Sequence, residues 1–314
     1  MALNIVIGDV TIGVQGEGFS YIFSTTSIGG MESLHKYGKE WLYRSPRPTF
    51  WRATTDNDRG NGFSYRSAVW LAADCFLGCQ EIKASMDGET IQIPLAPANN
   101  GYVGLVMAKE FEIHFVYGAA VIPEMKTEVT YRIPEDGVIH VQVHYFGKEN
   151  LPELPVFGMR FIMPTSAEGY HYEGLSGETY PDRMSGGISG CYEVKGLPVT
   201  PYLVPQDCGV HMETKWVGVQ RMRELDNSKS EQDQKTLYFK AEEGRHFAFS
   251  CLPYTAEELE NATHQEELPP ARRTVISILG AVRGVGGINS WGADVEESYH
   301  ISATNDIIYE FAIE

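Results

Sequence analysis

What is scarce in this chain narrows the field first. Five of its 314 residues are cysteine, Cys75, Cys79, Cys191, Cys208 and Cys251. An odd, scattered set makes no disulfide framework and fits reduced thiols. No stretch approaches the roughly 18 continuous apolar residues of a membrane-spanning helix. The opening MALNIVIGDV has neither the basic head nor the apolar body of a signal peptide, so the cytoplasm is the expected location. Basic residues are outnumbered 42 to 25, for a formal net charge of −17. Such a surface repels phosphate backbones and anionic lipid, which argues against nucleic-acid and membrane partners and leaves neutral ligands open. HExxH, paired CxxC, EF-hand, GxSxG and P-loop motifs are all missing, as are internal repeats and low-complexity runs.

What is present is a period of two. Phe111, Ile113, Phe115 and Tyr117 alternate with more polar neighbours, and so do Val129, Tyr131 and Ile133. Beyond the turn Pro134-Glu135-Asp136-Gly137, Ile139, Val141, Val143 and Tyr145 alternate with His140, Gln142 and His144. The chain closes in the same way, with Ile307, Tyr309, Phe311 and Ile313 on one face. Half-buried strands with short polar turns predict antiparallel sheets. Phe247 and Phe249, behind Glu243-Gly244, predict a further hairpin arm. Helical signals are few: residues 64–80 are apolar enough for a packed helix, and Thr255-Ala256-Glu257-Glu258 is a capping box opening a short helix toward His264. With no convincing linker, the expectation is one large all-β sandwich over residues 1–314 with a few short helices, ahead of a two-domain split.

Two stretches invite a functional reading. In RATTDNDRGNG (52–62), Asp56, Asn57 and Asp58 are turn-forming residues, and a plain surface turn takes the larger share. Pro48, Phe50, Trp51 and Arg52 anchor that loop, however, and anchored groups that donate and accept hydrogen bonds suit hydroxyl-rich ligands. In GVGGINSW (284–291), Trp291 is equally open to two readings: a core side chain, or a plane on which the C–H face of a sugar stacks. His140 and His144 share the polar face of a strand and could serve an epimerase, although solvent-facing positions account for them more simply. Cys75 and Cys79, four apart on the predicted helix, read as a buried pair rather than half a metal site. No carboxylate pair stands out as glycosidase machinery.

Four phrases in one order carry a resemblance. RATTDNDRG (52–60), EGLSGETYPDR (173–183), TPYLVPQDCGVH (200–211) and GVGGINSW (284–291) resemble the C-terminal β-sandwich region of the glycoside hydrolase family 2 β-galactosidases, from about Phe19 to residue 314. A chain of this length without the jelly-roll, immunoglobulin-like and barrel domains resembles the small subunit of heteromeric β-galactosidases. The resemblance implies a large antiparallel super-sandwich of the galactose-mutarotase type. It implies a partner, a large subunit whose (β/α)8 barrel holds both catalytic glutamates and the divalent metal (Mg) and sodium, so that this chain binds no cofactor and has no catalytic residue. It implies hydrolysis of lactose and other β-D-galactosides with retention, with Trp291 stacking on substrate. Asp56, Asn57, Asp58 and Gly60 would line the mouth of the active site, Gly60 as a hinge-like glycine, together with Asn289 and Ser290. Three departures are visible: Ile288 and Asn289 stand where acidic residues are usual, residues 174–183 lack the first proline and the asparagine of the family phrase, and the segment after Gly60 is differently spaced. Glu178, Tyr180, Asp182 and Arg183 read as a packed turn with internal salt bridging. An autonomous epimerase on the same fold and a plain carbohydrate-binding module are the rival readings.

Overall fold

Strands dominate because the sequence offers β-branched and aromatic residues at alternate positions and few helix-length patterns. The computed structural model describes residues 2–94, 102–225, 233–289 and 292–314. Its strands form three sheets of six, ten and five strands. The six-stranded sheet is largely an N-terminal meander, running from Leu3–Gly8 to Lys39–Glu40, with Tyr102–Ala108 added beside the first strand. In the ten-stranded sheet Glu110–Ala119, Met125–Pro134, Ile139–Tyr145 and Ile307–Ile313 lie side by side, all antiparallel. The expected turn joins the second and third of these, with Gly137 at φ 73° donating its N–H to the Pro134 carbonyl.

The alternation in sequence becomes two faces in space. Phe111, Ile113, Phe115, Val129, Tyr131, Val141, Val143 and Tyr145 are buried, whereas His140, Gln142 and His144 are on the other face. Aromatic contacts show what the buried face covers. Phe23 of the six-stranded sheet lies 5.4 Å from Tyr131 and 6.0 Å from Phe111. Phe157 of the five-stranded sheet lies 5.5 Å from Tyr145, and Phe161 lies 5.1 Å from Phe239. Both smaller sheets therefore pack against one face of the large one, the antiparallel super-sandwich expected. Each such ring contributes roughly 1.5–3 kcal/mol through burial.

The strand Val156–Met163 is buried at every position, so the five-stranded sheet is covered on both sides. Its inner side chains meet the large sheet. Its outer face, with Arg160, is covered by short helices and loops.

Two expectations are corrected. Residues 64–80 do not form one helix: Phe63–Arg66 is a single helical turn, Ala68–Trp70 and Ala73–Phe76 are short 3₁₀ turns, and Gly78–Met86 is a strand. Ala72, at φ 59°, breaks the helical path. Phe247–Leu252 does not fold back on the preceding strand either, because it pairs with Val210–Thr214 and Thr274–Val282 in the other sheet. The capping box at Thr255 is formed, opening Ala256–Asn261.

Candidate functional site

The segment DNDRGN is a one-and-a-half-turn helix, Asp56–Asn61, rather than an open turn. Thr55 caps it: its Oγ1 accepts from the Asp58 N–H at 3.2 Å, and Asp58 Oδ2 accepts from the Thr55 N–H at 2.9 Å. Gly62, left-handed at φ 78°, closes the other end. This short-range chemistry turns the three polar side chains in different directions. Asp58 points inward and is wholly buried, Asn57 is half-buried, and Asp56 and Gly60 are exposed.

Asp58 sits between two buried guanidiniums. Arg52 Nη1 donates to it at 2.7 Å and Arg283 Nη1 at 3.3 Å. Arg283 is fully buried, and its other nitrogens bond Glu153 at 3.1 Å and Asp294. Phe63 lies beneath it, with the guanidinium carbon 3.9 Å from the ring centroid. Buried charges persist only where paired and hydrogen-bonded, and here the pairing joins the helix 56–61 to both flanks of the glycine-rich segment.

Other contacts tie that segment down. Asp182 accepts from the N–H groups of Val285 at 3.0 Å and Gly286 at 2.8 Å. Arg183 donates to the Gly286 carbonyl, and Asn57 Nδ2 to the Val285 carbonyl at 2.9 Å. At Gly292, φ 77°, an added Cβ would come 2.9 Å from the Gly60 carbonyl oxygen, so the two glycines let the backbones touch. The TPYLVPQD phrase joins from the other side. Gln206 Oε1 accepts from the Asp56 N–H at 2.7 Å, and Arg59 donates to the Pro205 carbonyl at 3.2 Å. Tyr180 donates to Asp207 at 2.8 Å. Burial pushes the Asp207 carboxyl up to about 6, against the opposing pull of Arg52 and the Tyr180 hydrogen bond.

The proposed site residues are thus sorted. Asp56, Asn57 and Gly60 present an exposed or half-exposed rim, and Asn289 is exposed beside Ile288, which is 59% exposed. Asp58 belongs to the same unit, but its carboxylate is engaged internally. Ser290 and Trp291 lie outside the described residues. Tyr180, Asp182 and Arg183 form the turn expected, Tyr180 held by the Asp207 carboxylate and the other two by backbone groups of residues 285–286, with no ion pair within the turn among the described residues; Glu178 accepts from Thr200 at 2.9 Å. Arg283, Glu153 and Asp294 went unread as parts of the site, and Gln206, inside a quoted phrase, was given no role there; Arg52 was read only as an anchor of the loop. Arg283 directly precedes the phrase GVGGINSW, which was the available signal.

The rival groupings are held apart. His140 Nδ1 lies 3.2 Å from Glu242 and His144 Nε2 lies 2.8 Å from Asp306. Four residues along a strand separate the two histidines by about 13 Å, too far for one sugar carbon. Cys75 and Cys79 sit on a 3₁₀ turn and a strand, and all five thiols are free. Among the described residues, Asp74, Cys75 and Glu257 are close enough to share a metal ion. Arg160 Nη1 already lies 2.9 Å from Asp74 and 3.0 Å from Glu257, supplying the positive charge there.

The profile of the family described as "Beta galactosidase small chain" matches residues 15–313. The chain belongs to the β-galactosidase small-chain family. A protein of Latilactobacillus sakei named β-galactosidase small subunit is 59% identical over 311 residues, covering 99% of this chain and 97% of that one. A β-galactosidase of Halalkalibacterium halodurans is 34% identical over 317 residues, covering 99% of this chain. There the chain spans only 28% of the relative's length. Among solved structures, a galactose mutarotase-like protein from Lactobacillus casei aligns over 97% of this chain and 99% of its own, at 9% identity and a TM-score of 0.40. All four quoted phrases lie inside the region matched by the small-chain family, and their described residues are joined by the contacts of Asp182, Arg183, Asn57 and Gln206.

Proposed function

We propose that this chain is the small subunit of a two-chain, cytoplasmic β-galactosidase that hydrolyses lactose and other β-D-galactosides with retention. The carrying observation is the pair of coverages: nearly full length against a relative named small subunit, and about a quarter of a relative named β-galactosidase. The remainder of the enzyme is then the large subunit, with the (β/α)8 barrel, both catalytic glutamates, Mg and Na. Retention needs a nucleophilic carboxylate and an acid/base carboxylate roughly 5–5.5 Å apart around the glycosidic bond. The carboxylates of the junction support a non-catalytic role, since Asp58, Glu153 and Asp294 bond arginine and Asp182 bonds backbone N–H groups.

In this reading the helix 56–61 and the segment 284–291 form one wall of the substrate pocket. Trp291 stacks on the sugar, and Asp56, Asn57, Gly60, Asn289 and Ser290 line the mouth. The internal cage of Asp58 fixes where that wall stands, so binding energy is not spent on ordering it. The partner interface is large and obligate. The test is reconstitution: the purified chain leaves nitrophenyl β-galactoside intact, and adding the large subunit produces turnover. Substantial hydrolysis by this chain alone overturns the proposal.

A further inference from the structure

A cavity is joined to the start of the same helix through Gln206, whose Oε1 accepts from the Asp56 N–H. It has a volume of about 340 Å³ and lies between residues 197–206 and 253–271. That volume falls in the range of small-molecule sites, roughly 300–1,000 Å³. In a chain of net charge −17, none of the residues lining the cavity is charged. Its walls combine the rings of Tyr202 and Tyr254 with Leu259, Leu268 and prolines, and its polar groups are uncharged amides and hydroxyls.

Two of the polar groups are engaged, Thr200 donating to Glu178 at 2.9 Å and Gln265 Nε2 to the Tyr202 carbonyl at 2.5 Å, while others remain open. Gln206 is only 7% exposed, and its Oε1 is committed to the Asp56 N–H at 2.7 Å. That bond fixes the amide orientation, and among the described residues its Nε2 has no hydrogen-bond partner. The hydroxyls of Tyr202 and Tyr254 have none either among the described residues. Gln206 Nε2 reaches solvent and stays open to donate to a ligand in the cavity. Aromatic and aliphatic faces beside free neutral donors and acceptors match a pyranose, whose C–H faces are apolar and whose rim is hydroxyl. An anion finds no counter-charge here, and a purely apolar ligand leaves the amide unpaired.

We propose that this cavity is a saccharide subsite for a neutral hexopyranoside, distinct from the wall formed by the helix 56–61 and residues 284–289 and coupled to it through Gln206 and Asp56. The assignment goes beyond the two-chain reading and does not require it. The test uses the full chain alone, where the catalytic pocket is incomplete, with methyl β-D-galactopyranoside and methyl β-D-glucopyranoside as probes and saturation-transfer NMR as readout. Saturable millimolar binding is expected. Leu268→Trp, which fills the cavity, and Ala271→Trp, at its exposed rim, should each weaken it at least about tenfold, which is about 1.4 kcal/mol. Circular dichroism confirms the fold of each variant, and Ala271→Trp decides if Leu268→Trp fails to fold. Absence of saturable binding, or binding unchanged in the folded variants, overturns the assignment. Either result leaves the reconstitution experiment untouched, so the two failures are distinguishable.

Discussion

Replacing Asp58 with asparagine exchanges one carboxylate oxygen for an NH₂ group and alters nothing else in outline. In the folded protein that carboxylate accepts five hydrogen bonds, two from Thr55, two from Arg52 and one from Arg283. An asparagine there keeps one acceptor and turns an N–H donor toward a cationic neighbour. Arg283 retains Glu153 and Asp294, but Arg52 is left with the carbonyls of Ala53 and Gly284. Breaking a buried pair in this way costs about 3–5 kcal/mol, a large part of a total stability of about 5–15 kcal/mol. The neighbouring Asp56 gives an internal control. Its side chain is 70% exposed and its pairing is with Arg59 at 3.2 Å, a surface contact of about 0–1 kcal/mol. In urea unfolding followed by circular dichroism, with a slope of about 3 kcal/mol per molar, D58N should lower the midpoint by about 1–1.7 M and D56N by no more than about 0.3 M. Equal shifts would show that the buried cage is not what holds the helix, and the reasoning would fail.

Two further outcomes are expected. Trp291→Ala in the reconstituted enzyme should lower kcat/KM on the order of tenfold, the loss of one stacking contact of about 1.4 kcal/mol; an unchanged value would return Trp291 to the core reading. His211 is held down to about 4 by burial, with the Tyr170 hydroxyl 3.1 Å from its Nε2. The unfolded chain therefore binds the extra proton first, so stability is lost as pH falls from about 6.5 toward 4. Thermal melts across that window should show the loss, and His211→Gln should flatten it; an equal slope in the variant would assign the acid sensitivity elsewhere.

The sheets were legible because alternation is local: Phe111, Val129, Val141 and Tyr309 announce their faces within a few residues. Residues 64–80 misled because hydrophobicity there does not mean burial. Trp70 is fully buried, but Tyr65 and Phe76 are 86% and 71% exposed. Phe247–Leu252 looked like a hairpin arm because sequence shows a turn but not which sheet receives the next strand. The candidate site divided in the same way. RATTDNDRG could be singled out by composition. The Thr55 cap and Arg52 turn Asp58 inward locally, but its second buried partner, Arg283, lies far along the chain, and no window around Asp58 contains it.

The distance between those partners along the chain has a consequence for how the wall comes into being. Asp58 and Arg283 are 225 residues apart, Asn57 and Val285 are 228 apart, and Asp56 and Gln206 are 150 apart. Such closures cost chain entropy before any contact rewards them, and topologies rich in them fold slowly. The meander of the first forty residues can form from neighbours alone, whereas the separations predict that the junction at Asp58 closes after the sheets between have been laid down. A chain stalled short of that step has most of its strands and none of its wall.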